Sequence, residues 1–295
     1  MFERFSNRLT VQGWLVAQTA LRVGTGRATE PVGTDLPVMR DALGRPFIPG
    51  SSFKGALRAR IESFVRAVVP DSRLGACVPT GGEEDRCIPN FEMAEIRQQA
   101  ARERWDDVQF AGEVWQRSCL VCRTFGSPWL ASHVQVRDLP VDETRWFDQF
   151  QVRNGVAIDR DTETAGAGLL YDYEVVPEGT RFDCRIVAEN LKPWQLGMLW
   201  LGLQPFVVGQ AAVGGFRSRG LGQVKFADGD PRLYFFSLNG DGDVVDQLLD
   251  YLQSEDQRGS LVTSEQIERE FKWVQAFKVK LKQAQQKAQD KAGGE

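Results

Sequence analysis

Three observations on this 295-residue sequence predict an α+β fold. Residues 7–24 alternate through Leu9, Val11, Trp14, Val16, Thr19, Leu21 and Val23, the pattern of a half-buried strand. Phe53, Leu57, Ile61 and Val65 then recur every four residues, which is one face of a helix. A second series of strand, helix and strand signals follows between residues 119 and 226. Strand–helix–strands–helix–strand with long insertions suits a ferredoxin-like core better than a doubly wound sheet.

After the first strand, Gly24-Thr-Gly26 and Pro31 to Pro37 read as a glycine- and proline-rich loop, and Asp41 to Gly44 as a turn. Asp41 is expected to serve that turn or to pair with Arg40. Ser51 or Ser52 is placed to cap the first helix. Residues 70–118 are polar and read as an insertion, helical around 91–115. Cys119 to Val136 returns to loop and strand. Residues 138–175 are acidic and rich in turns, and 151–175 read as a long loop. Tyr171 to Ile186 reads as a strand pair closed by Pro177-Glu-Gly179, and Asn190 as the cap of a helix over 193–206. A strand over 223–226 closes a first unit, 1–226. Residues 227–295 read as a C-terminal helical extension, with a capping box at Thr263–Gln266 and a polar last twenty residues expected to fray.

Composition narrows the chemistry. There are 36 basic and 40 acidic residues, a net charge of −4, which excludes a uniformly basic coat. The single histidine, His133, excludes multi-histidine metal sites, and its place in a strand pattern makes it structural. The most apolar stretch, Leu196 to Leu203, is far short of the ~20 residues that span a bilayer. The N-terminus has no signal-peptide pattern, so a cytoplasmic protein without a membrane partner is expected.

Locally the charge is segregated. Residues 40–66 carry six basic side chains against two acidic ones, residues 207–225 carry three basic and none acidic, and residues 138–190 carry twelve acidic against five basic. Lys54 and Arg58 lie one turn apart at the start of a helix, where free N–H groups favour an anion, and Ser51 and Ser52 add hydroxyl donors. In Gly214–Gly222, glycines surround Arg217, Ser218 and Arg219, a loop suited to lie against a sugar–phosphate backbone. The two clusters together favour a polyanion.

Cysteines have their own pattern. Cys119 and Cys122 form a CxxC, and Cys77 and Cys87 bracket a hydrophilic loop. In a reducing compartment a tetrathiolate zinc site would pin the insertion to the core; buried free thiols or a redox CxxC are the alternatives. Cys184 reads as a small core residue.

Ile48-Pro-Gly-Ser-Ser-Phe-Lys-Gly55 resembles the first-helix signature of the RAMP superfamily of CRISPR-associated proteins, and Gly214–Gly222 resembles its C-terminal glycine-rich loop. Cys122-Arg-Thr-Phe-Gly126 with Val134–Asp138 is similar to a segment of the backbone (Cas7-like) subunits of type III CRISPR–Cas effector complexes. Gly33–Asp41 is similar to their active-site loop. The likeness covers about residues 7–226.

It implies an RRM-like palm assembled along a CRISPR RNA guide beside copies of itself or related subunits and other effector subunits. It also implies a thumb hairpin within 138–175 that interrupts the guide–target duplex, and an endoribonuclease that cuts target RNA beside each thumb with a divalent cation such as Mg²⁺. By position, Asp35 would be catalytic, and Ser51, Ser52, Lys54, Arg58, Gly215, Arg217, Ser218, Arg219 and Gly220 would hold RNA. Ile158, Leu169, Leu170 and Tyr171 would supply the apolar wedge of the thumb, although Asp159, Asp161 and Glu163 nearby would repel phosphate. An unperturbed carboxylate is a weak base, about three pH units below neutrality, so Asp35 fits better as a metal ligand or positioner. A turn role for Asp35, a non-catalytic binding subunit, and a guide-processing nuclease dependent on His133 are the competing readings.

Overall fold

The computed structural model describes residues 4–26, 34–158, 160–161, 163–229, 231–238, 243–254 and 259–292. In chain order, β1 (Asn7–Ala17) and β2 (Phe47–Ile48) precede α1 (Gly50–Val68). The insertion holds α2 (Asn90–Glu103) and α3 (Asp107–Arg117), and α4 (Cys122–Phe125), β3 (Val134–Val136) and β4 (Leu139–Pro140) return to the core. Next come β5 (Gln151–Ile158), β6 (Ala165–Val175), β7 (Arg181–Glu189), α5 (Pro193–Val207), β8 (Ala211–Ala212) and β9 (Gln223–Phe226). The C-terminal part comprises β10 (Arg232–Ser237), α6 (Val244–Gln253), β11 (Ser260–Val262), α7 (Ser264–Arg269) and α8 (Trp273–Ala292).

The main sheet is antiparallel, in the order β11-β10-β1-β7-β3. β1 is central, paired on both edges. One edge meets β7 along Arg8–Val16; the other meets β10 over Asn7–Gln12 and β9 over Leu15–Ala17. Leu9, Val11 and Leu15 of β1 and Phe182, Cys184 and Ile186 of β7 form the buried face. Helices α1 and α5 pack against each other over the core, with the Phe53 and Phe206 ring centroids 4.9 Å apart. No helix among the described residues is long and apolar enough to cross a membrane.

Several sequence expectations change. The α1 N-cap is Pro49, so Ser51 and Ser52 lie inside the first turn, and the Gly50 N–H donates to Asp138 Oδ1 at 2.7 Å instead. A Cβ at Gly50 would come within 2.2 Å of the Val136 carbonyl oxygen, so the helix starts where only glycine fits against β3. Asn190 does not cap α5, whose N-cap is Lys192; Asn190 has φ 55° and its Oδ1 accepts from the Ser6 N–H at 2.8 Å. Asp41 does serve its turn, its Oδ1 accepting from the Leu43 and Arg45 N–H groups at 2.9 Å, but its ion-pair partner is Arg45, while Arg40 pairs with Glu174 at 2.7 Å.

Residues 151–175 are a hairpin rather than a loop. β6 pairs with β5 in a separate two-stranded sheet, so it does not form a pair with β7 across the Pro177–Gly179 turn. The C-terminal part is not only helical, since β10 and β11 extend the main sheet across the boundary expected at residue 226. The capping box at Thr263 forms, but the helix breaks after α7, with Lys272 at φ 51°. The start of the tail is docked: Trp273, Phe277 and Ala284 are buried, and a Cβ at Gly197 of α5 would sit 2.1 Å from the Trp273 carbonyl oxygen.

Candidate nucleic-acid interface and metal centre

Asp35 lies in the segment that runs from the edge of the undescribed residues 27–33, Gly33 among them, to Arg40. That segment is stitched to the base of β6 by alternate acidic residues. Asp172 Oδ1 accepts from the Asp35 N–H at 2.7 Å, and the Asp172 N–H donates to Asp35 Oδ2 at 3.1 Å. Leu36 bridges Tyr173 in parallel fashion, and the Glu174 N–H donates to the Leu36 carbonyl at 3.1 Å. The Glu174 carboxylate accepts from the Val38 N–H and Arg40 Nη2. Side chains two residues apart on a strand share a face, so Asp172 and Glu174 grip the loop together. Asp35 is exposed, and neither Asp35 nor Asp172 has a cationic partner among the described residues.

The glycine-rich loop joins the same place. Phe216 and Gly220 are left-handed, and Arg217, Ser218 and Arg219 form an exposed 3-10 turn between them. A Cβ at Gly214 would lie 2.2 Å from the Arg22 carbonyl oxygen, and one at Gly222 as close to that of Val213, which fixes glycine at both. Arg219 Nη1 donates to the Tyr171 hydroxyl, and Phe216 meets Tyr173 edge-on at 4.9 Å. Asp35, the hairpin root and the Arg217–Gly220 turn, far apart in sequence, are thus neighbours around Tyr173.

Tyr171 is midway along the hairpin and packs toward the cluster at its root, unlike the exposed Leu170 beside it. Its ring lies over Gly155, the residue opposite it in β5, where a Cβ would fall 2.2 Å from the ring. Ile158 and Leu170 are 62% and 67% exposed, and Val152 and Val156 are also exposed. Leu169 is described only as a backbone position in β6, and Asp159 lies outside the described residues.

The α1 cluster lies elsewhere and is largely engaged. Lys54 Nζ donates to Ser132 Oγ at 2.8 Å and to the Val134 carbonyl at 2.9 Å, and burial lowers its pKa. Arg58 is bound on three sides: Glu62 at 2.7 Å, the Gly126 carbonyl at 2.9 Å and Cys122 Sγ at 3.4 Å. Asp138 already supplies a carboxylate to the α1 N-terminus, the place expected for a phosphate. Ser51 is exposed and Ser52 half-buried.

Cys77, Cys87, Cys119 and Cys122 are all buried, with their sulfurs within 4.8 Å of one another. Cys77 and Cys122 are 3.4 Å apart, too far for a disulfide at about 2.05 Å. Metal–sulfur bonds of about 2.3 Å in a tetrahedron put ligand sulfurs roughly 3.8 Å apart, so the quartet has the size of a tetrathiolate cage. Hydrogen bonding among the four thiols lowers the pKa of Cys77 and Cys87 and raises that of Cys119 and Cys122, so it is the size of the quartet, not its titration, that suits a metal. Arg58 touches this cage from α1.

His133 is buried, its Nδ1 2.9 Å from the Glu189 carbonyl and its ring edge-on to Trp115, and burial lowers its pKa. This is the structural role expected of it. Cys184 sits in the sheet core, where burial raises its thiol pKa. Sequence reasoning missed Asp172 and Glu174, which lay in what read as acidic loop, and Arg22, which lay in what read as strand.

The family model of the RAMP superfamily matches residues 14–225. A Methanocaldococcus jannaschii protein named CRISPR system Cms endoribonuclease Csm3 is 26% identical over 236 residues, covering 75% of this chain and 79% of that protein. The protein of the same name from Methanothermobacter thermautotrophicus is 26% identical over 250 residues, 76% of this chain and 85% of the relative. The one from Enterococcus italicus is 23% identical over 172 residues, 58% and 71% of the two chains.

Proposed function

The chain belongs to the RAMP superfamily, and on that premise we propose that it is a guide-RNA-binding backbone subunit of a type III CRISPR effector that cuts target RNA at Asp35. The series β1, α1, β3, β7, α5 and β9–β10, with β1 between the last and third strands, supports a ferredoxin-like, RRM-like palm. The paired β5–β6 strands with exposed Ile158 and Leu170 support a thumb, and exposed apolar side chains on a projecting hairpin suit a wedge between bases. Arg217 and Arg219 are the exposed cations for guide phosphates. Lys54 and Arg58 support the same track from behind, by fixing α1 against Ser132 and Gly126.

The observation that carries the cleavage reading is the clamp of Asp35 onto the hairpin root through Asp172. A nucleotide pushed out of the duplex by the hairpin would be presented beside the root, where an unstacked sugar can turn its 2′-hydroxyl in line with the phosphate. In that reaction the 2′-oxygen bonds to phosphorus and gives its proton to solvent. The bond to the 5′-oxygen breaks, and that oxygen takes a proton from solvent. Asp35, an exposed carboxylate with no cationic partner among the described residues, is suited to ligate a hard cation, and Asp172 positions it through the Asp35 N–H. A divalent cation such as Mg²⁺, held by Asp35, would supply charge neutralisation at the phosphate.

The same reading gives the cysteine cage a structural zinc, closed by four thiolates, that pins residues 77–87 of the insertion to α4 and α1. In an assembled complex, Asp35→Ala is expected to abolish target-RNA cleavage while RNA binding persists. Cleavage undiminished with binding intact would leave a purely RNA-binding subunit.

A further inference from the structure

Arg22 is a buried cation of this site with no anionic partner among the described residues. It is only 8% exposed, its Nε is buried without an acceptor, and its guanidinium has no hydrogen bond or ion pair among the described residues. A buried, unpaired charge is costly, and native structures keep one where a ligand completes it. Burial lowers its pKa, as expected of a desolvated cation that lacks a counter-ion.

The surroundings hold Arg22 in place. Its backbone carbonyl accepts from the Gly215 N–H at 2.8 Å, and its guanidinium lies over the Phe216 ring at 5.1 Å. On either side along the chain, Leu21 bridges Val176 at the hairpin root, and the Val23 carbonyl accepts from Met39 N–H of the Asp35 segment at 2.8 Å. Arg22 thus sits between the two strands that converge on Asp35. Two glycines flank the guanidinium: a Cβ would fall 2.6 Å from Nη2 at Gly24 and 3.6 Å from Nη1 at Gly215. Only glycine lets the guanidinium lie this close to the chain at residue 24.

We propose that Arg22 binds the scissile phosphate of the target RNA and neutralises the charge that grows on its non-bridging oxygens during cleavage. Arginine is suited to this because its fork of N–H donors matches two oxygens of one phosphate. A fixed donor set awaiting the anion costs no reorganisation during reaction. The proposal rests on the cleavage reading above and adds a residue that touches the reacting group.

The test uses Arg22→Met and Arg22→Lys in the full chain and in the assembled complex. Inorganic phosphate, compared with chloride at equal ionic strength, is expected to raise the melting temperature of the wild-type chain and of Arg22→Lys, but not of Arg22→Met. Without phosphate, Arg22→Met is expected to melt no lower than wild type, because it removes a charge that has no partner. Cleavage is expected to fall on the order of 100-fold in Arg22→Met, the scale of one lost transition-state donor, with part recovered in Arg22→Lys. RNA affinity should stay within about threefold, since guide phosphates are held elsewhere.

A lower melting temperature with an unchanged phosphate response would make Arg22 a packing residue and overturn the proposal, as would normal cleavage by Arg22→Met where Asp35→Ala is inactive. If Asp35→Ala also cuts normally, the cleavage reading is what fails. The assignment to a scissile phosphate falls with it, and the phosphate-dependent melting then decides whether Arg22 is an anion site of another kind.

Discussion

At the scale of single residues, what matters is which groups are already satisfied. Lys54 and Arg58 stand at helical spacing, and the sequence offers both to an anion. The fold gives Lys54 to Ser132 and Val134, and Arg58 to Glu62, Gly126 and Cys122. Arg217 and Arg219 have no carboxylate partner among the described residues and stay at the surface. Asp172 shows the reverse case, a residue hidden in an acidic stretch that becomes decisive because its Oδ1 meets the Asp35 N–H. Asn at 172 keeps that acceptor and Ala removes it. Asp172→Ala is therefore expected to slow target cleavage about tenfold, the worth of one hydrogen bond in positioning, with Asp172→Asn near wild type in the same single-turnover assay. Equal losses in both variants would instead point to the carboxylate charge.

At the scale of elements, the insertion and the hairpin follow different rules. The hairpin hangs from its root: Tyr171, Tyr173 and Val175 reach the small cluster with Leu221, while Ile158 and Leu170 are left to solvent. The insertion is held from inside by its cysteines. Cys77 and Cys87 end a loop with little apolar content, and they meet Cys119 and Cys122 in the buried cage. A metal there would offset the cost of ordering that loop. Purified protein is expected to carry about one zinc per chain, and Cys119→Ser to lose it along with several kcal/mol of stability in urea unfolding, the scale of a structural zinc site. A zinc content near zero in a fully folded chain would contradict the cage.

At the scale of the whole molecule, charge that is segregated along the sequence is redistributed in space. Acidic residues of 138–190 come back to pair with the basic run of 40–66, Glu174 with Arg40 and Glu143 with Arg45. Among the described residues, the Arg217–Arg219 turn leaves exposed positive charge beside the hairpin. RNA binding should therefore weaken with salt, and Arg217→Ala/Arg219→Ala is expected to make the slope of log affinity against log salt shallower by about 1.4, at ~0.7 per phosphate contact on single strands. An unchanged slope would move the RNA track away from this loop.

The sequence by itself determined the α+β class, the first strand, the α1 core face, the cysteine quartet, the structural histidine and the two glycine-bounded segments. Each of these is written in local periodicity, in spacing or in residues with few conformational options. Only the tertiary structure decided that Asp138 fills the N-terminus of α1, that Tyr171 packs toward the hairpin root, that β10 and β11 extend the main sheet, and that α8 is docked. It alone brought Asp35, Asp172, Arg22 and Arg219 together. Those outcomes depend on partners remote in sequence, 88 residues apart for Gly50 and Asp138 and 137 for Asp35 and Asp172, and no local pattern carries the identity of a hydrogen-bond partner across such distances.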